Sequence, residues 1–329
     1  MSTQPAGRAP GTPARGTPAG ETPAPGIAVA NAPVSYGAFE ITVGHDPDVP
    51  DGISVLDQVA AAGYAGIDLG PVGYLGRGAR LGELLAERGL GLAGGYLELP
   101  YADHGALDRA LTDLDALLDT FDAARPYLPG PPPRPTLADA GSRERRAHPG
   151  RSAGQPSLGL DAGGWRRFAE GLARAVGRCR DRGYEPTFHP ETGTYVEAPW
   201  EIGEVLDRSD IGLCLETGHM MMGGGDPVAL LREWAGRVNH VHLKDGVRTV
   251  MAGIIADGAP ATDIWSREAF CALGRGDLDV AGILDGLRGI SFGGWLVVEQ
   301  DILPRSRERF ARAAEEQRHN RAFLAERGL

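Results

Sequence analysis

The strongest constraint on how this chain folds is a rhythm. From Val34 onward, short apolar runs alternate with helix-like segments, and the alternation repeats eight times. The expected strands are Ser35–Thr42, Gly66–Gly70, Leu90–Tyr96, Pro135–Asp139, Pro186–Glu191, Ile211–Glu216, Val238–Lys244 and Trp295–Glu299. Helices are expected between them, most clearly over Leu81–Arg88, Leu107–Ala123, Ala162–Arg182, Pro199–Arg208, Pro227–Trp234 and Val280–Leu287, with a charged terminal helix around Ser306–Glu326. Eight βα units in a row define the α/β class and a (β/α)₈ TIM barrel over residues 34–329, of the size usual for that fold.

Two stretches break the rhythm. Arg125–Leu160, rich in Pro, Gly, Ser and Arg, reads as a mobile surface insertion around a short fourth strand. Gly246–Leu273 follows the seventh strand and is long enough to serve as a lid. Residues 1–33 are dominated by Ala, Gly, Pro and Thr and read as a disordered tail, with no apolar run long enough for a signal peptide or membrane span. The net charge of −11 argues against nucleic acid or an anionic membrane as a partner, which leaves a small molecule. Cys179, Cys214 and Cys271 match neither a disulfide framework nor a zinc knuckle, as expected of reduced thiols in a cytoplasmic protein; oligomeric state is left open.

In a parallel barrel the carboxyl ends of all strands open on one face, so polar residues there converge. The fifth strand ends Thr187-Phe188-His189-Pro190-Glu191, the sixth Leu213-Cys214-Leu215-Glu216, the seventh His240-Val241-His242-Leu243-Lys244 and the eighth Val297-Val298-Glu299. Alternation turns Leu213, Leu215, Val241, Leu243, Leu296 and Val298 toward the helices and Glu191, Glu216, His242 and Glu299 toward the axis. Three carboxylates crowded together need a compensating cation. Three oxygen donors and an imidazole suit Mn²⁺, Co²⁺ or Mg²⁺, with Zn²⁺ also compatible.

Those strand ends resemble the xylose-isomerase-like barrel superfamily of sugar isomerases and epimerases. Glu216-Thr217-Gly218-His219 and Arg237–Asp245 are most similar to inosose dehydratases, whose Asp-Thr-Gly-His departs from this chain at Glu216. After strand five those enzymes have His-x-His-x-Gly-Thr, whereas His189-Pro190-Glu191-Thr192-Gly193-Thr194 supplies a carboxylate more like that of the sugar epimerases. The resemblance implies a metal held by Glu191, Glu216, His242 and Glu299, and proton abstraction beside the carbonyl of a polyhydroxy ketone. Dehydration of an inosose is the leading expectation and ketose epimerisation or isomerisation its rival. An endonuclease IV-type nuclease would need histidines absent from strands two and three, and a non-catalytic sugar-binding barrel is a further alternative.

Glu191 and Glu299 are the expected acid/base pair, with Lys244 as proton donor and His219 hydrogen-bonding substrate or a metal-bound water. Arg248, at the start of the lid, resembles the substrate-contacting arginine of ketose epimerases. His189 and His240 face inward and are expected near substrate or behind a ligand, and Tyr96 and Glu98 after strand three line the pocket by position alone.

Overall fold

A computed structural model describes residues 1, 26–303 and 306–329. The strands are β1 Ile27–Asn31, β2 Gly66–Ile67, β3 Gly91–Leu92, β4 Gly94–Leu99, β5 Arg134–Asp139, β6 Thr187–Phe188, β7 Gly212–Glu216, β8 Val238–Leu243, β9 Asp245–Gly246, β10 Phe270–Cys271 and β11 Gly294–Val298. All but β9 and β10 form one parallel sheet in the order β3-β2-β1-β11-β8-β7-β6-β5-β4. Its two ends are consecutive in the chain. Ala93 separates them, donating to Ile67 O while Arg134 N donates back to Ala93 O, so β3 and β4 act as one strand and the eight-stranded barrel closes.

The helices are α1 Gly52–Ala61, α2 Gly78–Ala86, α3 His104–Ala124, α4 Arg143–Ala147, α5 Ala162–Asp181, α6 Pro199–Arg208, α7 Thr217–Met222, α8 Pro227–Glu233, α9 Arg248–Asp257, α10 Thr262–Ser266, α11 Val280–Gly289 and α12 Arg307–Ala325. Local chemistry starts them. Asp51, Asp103, Asp161 and Asp279 each accept a backbone N–H from the first turn, the acidic cap that the positive end of a helix favours. α5 then lays Trp165, Phe168, Leu172, Val176 and Cys179 on the barrel, a stripe at helical spacing. The outward residues of the strands, including Leu213, Leu215, Val241, Leu243, Leu296 and Val298, join the same core.

The first strand lies earlier than expected. Ser35–Thr42 is not a strand: Pro33–Tyr36 is a 3-10 turn, and the barrel begins at Ile27, within the span assigned to the tail. The physical reason is on the neighbouring strand β11. Trp295 points into the barrel against Ala30, Ala32 and Ala93, and a Cβ on Gly66 or Gly91 would come within 3 Å of its ring. The small residues that resembled a tail are what the indole requires. The rest of the proposed tail, residues 2–25, lies outside the described residues.

Arg125–Leu160 is likewise no plain surface insertion. Arg145 within it is 1% exposed and binds Glu197 and Glu201 at 3.2 and 2.6 Å, both acids fully buried. Ser152 donates to both carboxylates, and Gly150 N and Gly193 N donate to Glu197. This buried network ties the connection after β5 to the loop after β6. The segment Gly246–Leu273 folds as β9, α9, α10 and β10, and its Ala261, Ile264 and Trp265 cover the barrel mouth.

Candidate metal centre

The barrel mouth holds a cavity of about 620 Å³. At its floor, ligand-capable atoms of His189, Glu216, His242 and Glu299 all lie within 4.8 Å of one another. His242 Nδ1 is 3.6 Å from Glu216 Oε2 and 3.4 Å from Glu299 Oε2, and His189 Nε2 is 3.8 Å from Glu216 Oε2. Glu216, His242 and Glu299 stand where strand parity put them. The fourth member is His189, not Glu191.

The reason is local. β6 ends at Phe188 and Pro190 breaks the alternation, so His189 is the last inward residue. Glu191 leaves on the loop, its N–H bonded to Val196 O. Its carboxylate sits at the tetrad's edge, with Oε2 3.6 Å from His189 Nδ1 and 3.5 Å from the Tyr96 hydroxyl, and Oε1 3.4 Å from His219 Nδ1.

The tetrad fits a divalent cation. Glu216 Oε2, His189 Nδ1 and both ring nitrogens of His242 are buried without a hydrogen-bond partner, an arrangement that costs free energy unless something fills it. Burial holds His189 well below the usual histidine range, hence neutral and ready to ligate. Burial lifts Glu216 to about 7, against the pull of Lys244. His242 is opposed by burial but raised to about 9 by Glu299 and Glu216. Burial also opposes charge on Glu299, yet His242 and Lys244 beside it hold it well below the usual carboxylate range. Two imidazoles and two carboxylates suit a borderline metal such as Mn²⁺, Co²⁺ or Zn²⁺ better than Mg²⁺.

Beside the tetrad, the buried ammonium of Lys244 lies 3.0 Å from Glu299 Oε2, 2.8 Å from Asp301 Oδ1 and 3.2 Å from His219 Nε2. The imidazole of His219 is held on its other side by Thr192 Oγ1 at 2.7 Å. Gly218 is needed here, since a Cβ would come within 2.8 Å of the Lys244 stem. Glu191 is pushed well above the usual carboxylate range by burial.

Three further residues are placed as follows. His240 is fully buried beneath His242, rings 5.1 Å apart, and does not reach the mouth. Arg248 does not line the cavity; its Nη2 is 3.4 Å from Gly225 O and its N–H donates to Asp277. His189 belongs to the tetrad. Tyr96, Glu98, His219 and Lys244 do line the mouth, as do Gly70 and Pro71. Sequence reasoning passed over Asp68, Arg146, Trp265 and Asp301, which also line it. Asp301 alone carried a signal, as the next inward position after Glu299.

These features define a class, and comparison with known proteins agrees. The family described as xylose isomerase-like TIM barrel matches residues 56–326, and the chain belongs to it. It is similar to the inosose dehydratase of Geobacillus kaustophilus, 26% identical over 254 residues, which covers 76% of this chain and 80% of the relative. It is 31% identical over 261 residues to the rhizopine catabolism protein MocC of Rhizobium meliloti, covering 76% of this chain and 74% of that one. Among solved structures, an L-ribulose 3-epimerase superposes with a TM-score of 0.60 at 20% identity over 91% of this chain and 93% of its own. A D-allulose 3-epimerase from Methylomonas sp. gives 0.61 at 14% identity over 92% and 98%. The chain is an enzyme of the lyase or isomerase kind.

Proposed function

We propose that this enzyme dehydrates an inosose, using His189, Glu216, His242 and Glu299 to hold one divalent metal ion, Mn²⁺ or Co²⁺ being the first choices. When bound, such an ion polarises a carbonyl and makes the neighbouring C–H more acidic. Glu191, at the edge of the tetrad, takes that proton; burial raises its pKa and so makes its carboxylate a stronger base than an exposed one. The C–H electron pair becomes the new C=C bond as the adjacent C–O bond breaks. Lys244 gives a proton to the departing hydroxyl, which leaves as water. His219 and Asp301 hold the Lys244 ammonium in place, and the Tyr96 hydroxyl lies 3.5 Å from Glu191 Oε2.

The observation that carries this reading is the Lys244 ammonium, buried 3.0 Å from Glu299. Dehydration needs a proton donor to the leaving group, which epimerisation does not. Resemblance to an inosose dehydratase supports the same choice. Three free thiols agree with a cytoplasmic setting, and the acidic mouth suits a small neutral substrate rather than nucleic acid. Purified protein loaded with Mn²⁺ or Co²⁺ is to be assayed on scyllo-inosose and on a panel of ketohexoses. Dione formation from the inosose is the expected result; epimerised ketohexose without dione would favour the rival.

A further inference from the structure

The wall of the mouth opposite β7 and β8 is built by β4 and the connection after β5, and it carries a guanidinium. Arg146 Nη2 donates to Glu98 Oε2 at 2.6 Å and to Ala140 O at 3.1 Å, and the Tyr96 hydroxyl donates to Glu98 Oε1 at 3.0 Å. Arg146 and Glu98 line the cavity with side chains 45% and 31% exposed, so a substrate would cover both. Among the described residues, Arg146 is the one arginine lining the mouth, since Arg248 turns away toward Gly225.

Its backbone is unusually well fixed for a mouth residue. Arg145, the preceding residue, is locked between Glu197 and Glu201, and Arg146 O accepts from Ala261 N of the lid segment at 2.9 Å. Gly193, at φ +80°, lets the loop after β6 approach, since a Cβ there would stand 3.3 Å from Arg146 Cα. Such support leaves little ordering entropy to be lost when a ligand binds.

We propose that Arg146 determines substrate specificity, its guanidinium and the Glu98 carboxylate together binding hydroxyls on the edge of a cyclic polyol farthest from the reacting carbon. A guanidinium beside a carboxylate offers a donor and an acceptor side by side, the pattern that vicinal hydroxyls complement. The remaining donors of Arg146 and lone pairs of Glu98 serve the ligand, so the pair need not break. The inference rests on the proposed reaction only for the choice of ring.

The test uses full-length, metal-loaded protein and the variants R146A, R146K and R248A. Turnover is measured on scyllo-inosose and binding of unreactive myo-inositol by calorimetry. A hydrogen bond to a charged group is commonly worth about 10- to 100-fold in affinity. R146A is therefore expected to raise KM and weaken myo-inositol binding by about that factor, with kcat within about threefold of the parent. R146K, which keeps the charge but loses the planar fork, falls between. R248A stays near the parent in KM, and the melting temperature of R146A stays near that of the parent, because so exposed a pair contributes little to stability. If R146A keeps both KM and myo-inositol affinity within about twofold of the parent, the inference is overturned while the dehydratase reading stands. A parent that binds no polyol and turns over no polyhydroxy ketone overturns both. A parent that binds myo-inositol through Arg146 without dehydrating the inosose overturns the reaction alone.

Discussion

Lys244 Nζ lies 2.8 Å from Asp301 Oδ1, deep in the mouth, where the eighth barrel strand gives way to its loop. Burial disfavours the ammonium, but Asp301, Glu216 and Glu299 keep it charged. K244M is expected to lower kcat by at least about 100-fold, the usual contribution of a positioned proton donor. It also leaves three carboxylates short of a cation, a loss of about 3 kcal/mol when a buried pair is broken. Activity per folded molecule, measured beside urea denaturation, separates the effects. A variant that loses stability but keeps kcat would make Lys244 a structural cation only.

The Arg145 strut predicts a contrast between two arginines. R145L strands Glu197 and Glu201 in the interior and is expected to cost about 3–5 kcal/mol. R174A removes an exposed ion pair to Asp108 and is expected to cost under about 1 kcal/mol. Equal losses in chemical denaturation would contradict the burial argument.

Asp139 ties the end of β5 to the next loops, its Oδ2 accepting from Gly141 N at 2.8 Å and Tyr195 N at 2.9 Å. Burial lifts its carboxyl to about 6, above the unfolded value. A raised carboxyl favours the folded state fully at pH below about 4, and that contribution disappears as pH rises through 6. D139N keeps an acceptor oxygen without the charge. It is expected to be more stable than the parent by about 3 kcal/mol at pH 8, with the advantage shrinking toward zero at pH 4. An advantage that is the same at both pH values would show that the charge is not its source.

The parts of this enzyme legible in its sequence are those where alternation runs unbroken. Near their carboxyl ends β7, β8 and β11 carry Leu213, Leu215, Val241, Leu243, Leu296 and Val298 at the outward positions, so Glu216, His242 and Glu299 could be assigned to the axis by counting. Counting failed where a strand was short or its residues small. β6 has two residues and Pro190 follows soon after, so parity carried on to Glu191 passes His189, whose ring nitrogen is the one that groups with Glu216, His242 and Glu299. β1 is Ile-Ala-Val-Ala-Asn, a composition that looks like tail until Trp295 is seen to need it. Arg146 and Trp265 lie on connections between barrel strands, and only long-range packing brings them to the mouth. No local period marks them.

In the proposed site His189 completes the metal-binding set, while Glu191 stands beside it as the proton acceptor. Isothermal titration of Mn²⁺ into metal-free H189A and E191Q tests it most directly, paired with turnover of each loaded variant. Loss of a ligand typically weakens metal affinity by at least about 10- to 100-fold. The expected result is that loss for H189A, with E191Q binding Mn²⁺ within about threefold of the parent yet turning over at least about 100-fold more slowly. Weak Mn²⁺ binding by E191Q together with parent-like binding by H189A would contradict the account, and would return the metal to the carboxylate that strand parity first suggested.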